Sequence, residues 1–551
     1  MATAMLSAFA AQSAAPSGTV PTIYINTENH APVISKDVYL DATYYLEENG
    51  FAGVESLGSE AKPLPLTIKG RGNYTWTGFD KKPYKLKLDK KTAIMGMGKN
   101  KHFALLAHAD DDLAFMRNVA GLELSRRMNL AFTPADAPVE VVLNGEYLGL
   151  YFFTETIRVD GNRVDITEQD DNAEDNVDGG WLVEIDNYSD DPHVSIVEGN
   201  GQRIIFTYKS PEVLSPEQEG YIRSQMTALN AAIYAADKNA SENLESLLDM
   251  ESAARFYVVQ ELMDDCESYH GSCYLYKDRG EGEKWKFGPV WDFGNAFRRG
   301  EKNRFIWQEP AFNQTWIGEL YKFPVFQEKV KAVWKEFCDH GYEGLSDYIR
   351  DYADDIKEAA TSNFEKWPQY GNGDICAGSE SMLANFKESV KWLGKQWGYL
   401  PSTGEPLEQV YIRGTFNSWS TSTPMSWING KWEYPSVDFS GEFKIASADW
   451  SAVDLGAGSF GDSPVAEVKY GLAPKGQNIN MAASNYGKRL IMDPSDNTLL
   501  ITEMANIDDF LQNDSVETTE IYTIAGQRVS SMDTKGIYIL RWGSETVKVM
   551  K

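Results

Sequence analysis

The setting of Asp292 gives the first indication of chemistry in this chain. It lies in the segment FGPVWDFGNAF, between bulky apolar residues and directly before Phe-Gly. An aspartate at the end of a buried strand and in front of Phe-Gly can hold a magnesium ion beside the phosphates of a nucleotide. Phosphoryl transfer also needs cations around the phosphates and a carboxylate near the attacking hydroxyl. Asp292 is therefore a candidate magnesium ligand if those groups are present.

Groups of the required types precede Asp292 in the chain. They are the glycine-containing loop Lys69-Gly70-Arg71-Gly72-Asn73, the lysine-rich strand Lys81–Lys87, a helix with Arg117, Asn118 and Glu123, and an acidic loop with Asp264, Asp265 and Glu267. Each has an ordinary alternative: a lysine-rich strand is usually a solvated face, and the acidic loop could simply cap a helix. Glu123 could pair with Arg126 or Arg127 on its own helix. Their order over about 220 residues is more specific than any one of them.

Alternating and helical patterns predict the elements that must position these groups. The segments LPLTIKGRGNYTW and KKPYKLKLDKK predict two strands joined by a loop, and residues 112–128 show helical spacing. Two further strands flank the turn signal Asn144-Gly145-Glu146. Ser215 and Pro216 open a mainly helical stretch to about 263, a hairpin of CYLYKD and KWKFGPVW follows, and more helices are expected over 322–400.

Several segments together resemble the CotH family, named for a spore-coat protein, from about residue 60 to 400. They are IKGRGNYTW, KKPYKLKLDKK, FMRNVAGLELSRRM, VEVVLNGEYLGLYFFTETI, ESYHGSCYLYKD and KFGPVWDFGNAF. The resemblance implies an atypical protein kinase with a two-lobed fold that uses ATP and Mg²⁺ or Mn²⁺. The fold class expected is α+β, with a kinase-like domain over 21–400 whose small lobe extends to about 160 and whose large lobe covers about 161–400.

The resemblance also implies roles for particular residues. Asp292 would bind the metal, Glu267 stands at the catalytic aspartate, and Asp265 and Ser272 stand where the family usually has asparagines. Arg71, Lys82 and Lys85 fall in the phosphate-side strands, Glu123 lies on the helix that could face them, and Glu155 falls near the hinge. We therefore expect catalytic roles for Glu267, Asp265 and Asp292, metal contacts from Asp292 and Ser272, and nucleotide contacts from Arg71, Lys82, Lys85, Glu123 and Glu155.

The chain departs from the family pattern at three positions. Glutamate replaces the catalytic aspartate at 267, serine replaces the second asparagine at 272, and Gly294 stands where the family tends to have an acid. One extra methylene moves a carboxylate by about 1.5 Å, and a misplacement of about 1 Å can cost about a hundredfold in rate. Serine remains an oxygen ligand, and Asp264 or Asp265 could supply a replacement carboxylate. An active kinase and an inactive kinase-fold scaffold are both open at this point.

A change of composition near residues 400–404 predicts a linker, and residues 408–500 predict an all-β sandwich. The string Gly414-Thr415-Phe416-Asn417-Ser418-Trp419 resembles starch-binding modules of Bacteroidetes surface proteins and glycogen-binding sandwiches. Exposed tryptophans could stack on sugar rings, whereas buried ones would fill the core. We expect Trp432 and Trp450 in the core and leave Trp419 and Trp427 open.

Both ends of the chain indicate export. The start, residues 1–20, is typical of the second half of a signal peptide, with Ala8-Phe9-Ala10 as a cleavage-type triplet, although a disordered tail is the alternative. The end, residues 515–551, alternates in three or four short strands and resembles a C-terminal sorting domain of the type IX secretion system. The expected location is secreted or at the cell surface, with the secretion machinery as a partner.

Composition limits the remaining functions. The formal charge of −29 opposes binding to nucleic acid or anionic lipid, and no apolar run is long enough for a transmembrane helix. The four cysteines form no CxxC pair; Cys266 and Cys273 could bridge or remain buried free thiols. The leading hypothesis is an exported kinase acting on a protein substrate. The alternative is a catalytically inactive kinase-fold surface protein that binds glycans or partners, with a glycoside hydrolase a distant third.

Overall fold

The computed structural model describes residues 14–503 except 112–114, 190, 198–200, 202, 310–314, 372, 429, 459 and 461–462. Beyond residue 503 it describes the backbone of 520–523, 528–529, 537–542 and 545–550. The expected cleavage triplet at 8–10 lies outside the described residues. The chain divides into two compact units, residues 1–403 and 404–551.

The first unit begins with a closed seven-stranded barrel in the order β1-β2-β3-β4-β5-β7-β6. Its strands are β1 Thr22–Thr27, β2 Leu40–Glu47, β3 Leu64–Gly70, β4 Tyr84–Ile94, β5 Met97–Leu106, β6 Asp136–Leu143 and β7 Glu146–Glu155. Neighbours pair antiparallel except β1 and β6, which close the ring in parallel. Alternate residues such as Ile68, Leu86 and Phe103 point inward to one apolar core. The opposite face of the same strands is therefore the one that carries the lysines.

A five-stranded sheet in the order β12-β11-β8-β10-β9 follows the barrel. Its strands are β8 Trp181–Ile185, β9 His193–Val197, β10 Arg203–Ser210, β11 Cys273–Lys277 and β12 Lys286–Phe287. The helices of this unit are α1 Tyr74–Gly78, α2 Met116–Arg127, α3 Pro216–Ile233, α4 Glu242–Leu247, α5 Met250–Met263, α6 Ile317–Leu320, α7 Pro324–Glu336, α8 Leu345–Asp355, α9 Lys357–Lys366 and α10 Ile375–Trp397. Mixed helix and sheet confirm the α+β class, while the two-lobed kinase arrangement stays a prediction. Among the described helices, none is both long and apolar enough to span a membrane.

The second unit is built of strands. Nine of them form one sheet around a single apolar core that includes Trp432: β13 Tyr411–Gly414, β14 Ser426–Ile428, β15 Lys431–Tyr434, β16 Gly441–Ala446, β17 Asp454–Ala457, β18 Lys469–Pro474, β19 Ile479–Met481, β20 Arg489–Asp493 and β21 Thr498–Thr502. A four-stranded antiparallel sheet contains β22 Glu520–Thr523, β23 Arg528–Val529, β24 Ile537–Trp542 and β25 Glu545–Met550. The tryptophan predictions have different outcomes: Trp432 is a core residue, as expected, but the core assignment of Trp450 was wrong. Trp450 is half-exposed, because its loop holds it against the guanidinium of Arg413, 4.1 Å from the ring.

The four cysteines are free thiols, and Cys266, Cys273 and Cys338 are buried. The open alternative for Cys266 and Cys273 therefore resolves in favour of free thiols. Burial raises the pKa of the Cys266 thiol to about 12. Because the thiolate is the reactive form, this shift disfavours reaction of the Cys266 thiol at neutral pH.

Candidate active site

The loop after β12 places Asp292 beside helix α2. Asp292 is exposed and has a left-handed backbone conformation (φ 59°), whereas the next residue, Phe293, is fully buried. The Phe293 N–H donates to Asn118 Oδ1 at 3.0 Å. A Cβ added to Gly121 of α2 would stand 2.3 Å from the Phe293 ring, so the ring packs directly against the helix backbone. Phe293 thus anchors the loop that presents Asp292.

The acidic loop after α5 is anchored by buried cations at its first residue. Asp264 ends the helix in a left-handed conformation (φ 49°) and pairs with Arg299 and with Lys302, the latter at 2.7 Å. Lys302 also pairs with Glu261 of α5 at 2.7 Å, and all of these side chains are largely buried. Asp264 therefore serves the loop's structure, and the proposed replacement carboxylate is better supplied by its neighbour, Asp265.

Asp265 and Glu267 both face the charge of Asp292. Asp265 is fully buried: its Oδ1 accepts from the Glu267 N–H at 3.3 Å, and its Oδ2 has no hydrogen-bond partner among the described residues. Burial, and next to it the charge of Asp292, raises the pKa of Asp265 well above its usual range. The same two causes raise the pKa of Glu267, whose Oε2 accepts from Asn295 Nδ2 at 2.5 Å. Carboxylates arranged in this way favour a shared proton or a bound cation.

Asp110 is a further carboxylate at the same place, and sequence reasoning missed it. It lies between β5 and α2, with a side chain 19% exposed. Burial raises its pKa to about 6, followed by the charges of Asp292 and Asp111. The signal available in the sequence was an acidic run directly before a helix, which is by itself more often a cap than a site.

Arg71 is the cation that the barrel brings to Asp292. It follows β3, and its guanidinium carbon lies 5.5 Å from the centre of the Trp291 ring. Burial lowers the pKa of Arg71, and the charge of Asp292 is the largest effect opposing that change. Sequence reasoning placed these two residues in one site, and in the structure they are electrostatic neighbours. We refer to Arg71, Asp110, Asp265, Glu267 and Asp292 as the Asp292 site.

Lys85 lies on the outer face of the barrel directly opposite Lys69 in the β3–β4 register. It is half-buried and makes no hydrogen bond or ion pair with any described residue. Burial, and after it the charges of the neighbouring cations Arg158, Lys69 and Arg71, lower the pKa of Lys85 to about 8. An unpaired ammonium among like charges is suited to receive an anion.

Lys82 and Lys81 are held elsewhere. Lys82 Nζ donates to the Trp76 carbonyl at 2.7 Å, so its ammonium points to α1. Lys81, which the sequence suggested to be part of a solvated strand, is buried and donates to the carbonyls of Ala107 at 2.8 Å and Leu150 at 2.5 Å. Burial lowers the pKa of Lys81 well below its usual range. A nucleotide contact from Lys82 stays a prediction and would require its side chain to turn.

The remaining predicted residues lie in local arrangements. Glu123 pairs with Arg126 at 3.1 Å and Arg127 at 2.7 Å, the alternative anticipated from its helix spacing. Glu155 ends β7 and accepts from the Ala135 N–H at 3.1 Å. Ser272, half-buried with φ 52°, stands directly before β11. Their roles toward a nucleotide or metal stay predictions.

The donor chemistry of the Asp292 site fits a hard divalent cation. Carboxylate oxygens are preferred ligands of Mg²⁺, which proteins usually hold through one or two carboxylates with phosphate oxygens completing the shell. Among the described residues, no three histidine, cysteine, aspartate or glutamate side chains are grouped to hold a metal ion by themselves. The unpartnered Oδ2 of Asp265 and the mutual repulsion of the carboxylates favour a cation here. The residues present therefore fit a metal whose coordination the phosphates complete.

A carboxylate cluster facing cations from a neighbouring strand pair is the kind of site that phosphotransferases use. Residues 68–396 match the protein family described as CotH kinase protein, and this match covers more than half of the 551 residues. The chain belongs to the CotH kinase family. A search among curated proteins found no match.

Proposed function

We propose that the protein is an exported protein kinase of the CotH type, which transfers the γ-phosphoryl group of ATP to a protein hydroxyl with the help of Mg²⁺ or Mn²⁺. The observation that carries this proposal is that the charge of Asp292 acts both on Arg71, from the barrel, and on Asp265 and Glu267, from the acidic loop after α5. Export is supported by the signal-like start and by the sorting-like end of the sequence. The location proposed is secreted or at the cell surface.

Each residue has a definite task in the proposed reaction. Arg71 and Lys85 bind phosphate oxygens, and Asp292, together with Ser272 and Asp265, would hold the metal. A bound divalent cation neutralises charge on the phosphates. Glu267, oriented by Asn295, accepts the proton of the attacking hydroxyl. The hydroxyl oxygen bonds to the γ-phosphorus as the bond from that phosphorus to the bridging oxygen breaks, and ADP leaves.

Two measurements test the kinase proposal. We expect MgATP or MnATP to raise the melting temperature of the wild type and label from γ-labelled ATP to enter an added protein mixture. Asp292→Ala should abolish both effects, whereas Asp89→Ala, at an exposed position on β4, should retain them. A wild type that shows neither a melting shift nor incorporation refutes the proposal. A shift without incorporation favours the inactive kinase-fold alternative, which the replacements at 267, 272 and 294 support.

We further propose that the second unit binds glycans through Trp419 and Trp450. The two rings lie 6.1 Å apart and half-exposed, and Arg413 donates to the Trp419 carbonyl at 2.7 Å while lying 4.1 Å over the Trp450 ring. Both tryptophans have a left-handed backbone, φ 61° and 66°. Such a conformation is strained in a bulky residue and tends to persist where a surface is used for binding. Flat aromatic faces of this kind can stack on sugar rings.

Glycan binding is tested on an array with the full chain. The double variant Trp419→Ala/Trp450→Ala should lose the glycans that the wild type binds. Tyr486→Ala is the matched control, because that ring is 50% exposed in the same unit and its hydroxyl bonds to Ser440 rather than to the pair. Binding that survives the double variant, or that Tyr486→Ala removes equally, contradicts the proposed platform.

A further inference from the structure

The space beside Gly294 contains two carboxylates from distant parts of the chain. A Cβ placed on Gly294 would stand 3.2 Å from Asp292 Oδ1 and 3.5 Å from Asp110 Oδ2. The backbone of Gly294 is not in the left-handed region, so its φ does not require glycine. What distinguishes this position is that the carboxylate of Asp110 borders the space that a side chain at 294 would fill.

The loop that carries Asp110 is joined rigidly to the loop that carries Asp292. Arg298 donates to the carbonyls of Gly294 at 2.8 Å and Asp110 at 2.7 Å, bridging the two loops directly. On the other side, Arg117 pairs with Asp111 at 2.7 Å, both buried, and donates to the Ala296 carbonyl at 2.7 Å. The contacts of Arg298 and of Arg117 therefore fix the position of Asp110 next to Asp292.

A second observation favours a cation at these carboxylates. The fully buried Oδ2 of Asp265 has no hydrogen-bond partner among the described residues, and Asp265 faces Asp292. Burying such an oxygen without a partner is costly unless a proton or a metal ion satisfies it. Arg298, whose guanidinium already donates to the two loop carbonyls, approaches Asp110 Oδ2 only to 3.8 Å. The charge of the cluster is thus only partly balanced by the protein itself.

We propose that Asp110 is the second carboxylate of the divalent-cation site at Asp292, and that residue 294 is glycine because Asp110 supplies the carboxylate beside it. This inference rests on the proposed metal–nucleotide function. It predicts that the carboxylate can be moved from position 110 to position 294 with the site preserved.

The experiment measures Mn²⁺ binding by electron paramagnetic resonance, with Mn²⁺ alone and with Mn²⁺ plus a non-hydrolysable ATP analogue. The variants are Asp110→Ala, Gly294→Asp and the double variant Asp110→Ala/Gly294→Asp. Asp110→Ala should weaken Mn²⁺ binding by at least about tenfold, as loss of a metal-site group typically does, and the double variant should recover most of it. Asp186→Ala is the control for charge alone, because Asp186 is a further acid on which the charge of Asp292 acts. Melting curves without metal verify that each variant is folded.

The outcomes separate this inference from the function on which it rests. If the wild type binds no Mn²⁺ in either condition, the proposed function and the inference both fail. If the wild type binds and Asp110→Ala binds equally well, the inference alone is wrong. If Asp186→Ala reproduces the loss seen in Asp110→Ala, the inference is also overturned, since Asp110 would then act only through its charge. If the double variant recovers none of the loss, the explanation of the glycine at 294 is wrong.

Discussion

Replacing Lys85 by methionine removes a charge that the folded barrel holds among charges of the same sign. Lys85 stands opposite Lys69 across the β3–β4 pair, and it makes no hydrogen bond or ion pair with a described residue. Like charges directly opposite one another in a sheet are destabilising. We therefore expect Lys85→Met to stabilise the unliganded protein and to weaken its binding of nucleotide.

The magnitude follows from the pKa of Lys85, which is lowered from 10.5 to about 8 mainly by burial. One pH unit of pKa difference corresponds to about 1.4 kcal/mol, so the charged lysine costs about 3 kcal/mol at pH 7. Solvent around the half-buried side chain reduces this cost, and we expect a gain of about 1–3 kcal/mol in the variant. The folded state prefers the neutral amine, so this contribution to stability is present above pH 10.5 and is lost as the pH falls through 8.

The assay is urea unfolding followed by tryptophan fluorescence at pH 7 and pH 9.5. The advantage of Lys85→Met over the wild type should shrink to less than half at the higher pH. Lys87→Met is the matched control, because Lys87 is exposed on the same strand and face; its stability should lie within about 0.5 kcal/mol of the wild type. MgATP should raise the melting temperature of the wild type and of Lys87→Met but not of Lys85→Met.

The reasoning is refuted if Lys85→Met is less stable than the wild type at pH 7. It is also refuted if the difference between the two proteins does not change with pH. The first result would mean that a partner stabilises the ammonium of Lys85 in the folded protein, and the second that folding does not lower its pKa.

Three further predictions concern the loops around Asp292. Gly121→Ala should lower the free energy of unfolding by about 1–2 kcal/mol, because overpacking against a ring 2.3 Å from the added Cβ outweighs the gain in helix propensity. Thermal melting tests this, with Gly220→Ala as the control: the Cβ added there meets nothing within 4 Å, and stability should rise. Asn295→Ala should reduce phosphate incorporation about tenfold to a hundredfold by releasing the Glu267 carboxylate, yet keep the MgATP melting shift; equal loss of both would contradict a positioning role. Arg117→Met should cost about 3–5 kcal/mol in urea unfolding, because it removes the cation from a buried ion pair with Asp111. A change below 1 kcal/mol would show that the pair is dispensable.

Local signals predicted several elements accurately. The helix start at Ser215 and Pro216 is confirmed by the capping box that Ser215 forms with Gln218. The Asn144-Gly145 turn is confirmed as a two-residue hairpin with φ of 53° and 82°, as a turn of that type requires. In both cases the residues that specify the structure are adjacent in the chain.

The parts that the sequence did not predict depend on distant partners. Strands β9 and β10 were left unassigned because they pair in a sheet whose order, β12-β11-β8-β10-β9, differs from chain order. Lys81 can be buried because the backbone carbonyls of Ala107 and Leu150, both distant in sequence, accept hydrogen bonds from its ammonium. Asp110 acquires its setting from Gly294, which is remote in sequence. Composition and spacing record what a residue is, whereas these properties arise from what the fold places beside it.

The closure of the barrel has a consequence for how the chain folds. Strand β1 pairs in parallel with β6, joining Thr22 to Glu140 across more than one hundred intervening residues. Closing so long a loop costs more chain entropy than the pairing of strands that are neighbours in sequence. We therefore expect the pairing of β1 with β6 to be a late and slow step in folding. Until residues 136–143 have been synthesised, β1 and β5 each present an open strand edge that another chain could pair with. We therefore expect the growing chain to be most prone to aggregation before β1 has paired with β6.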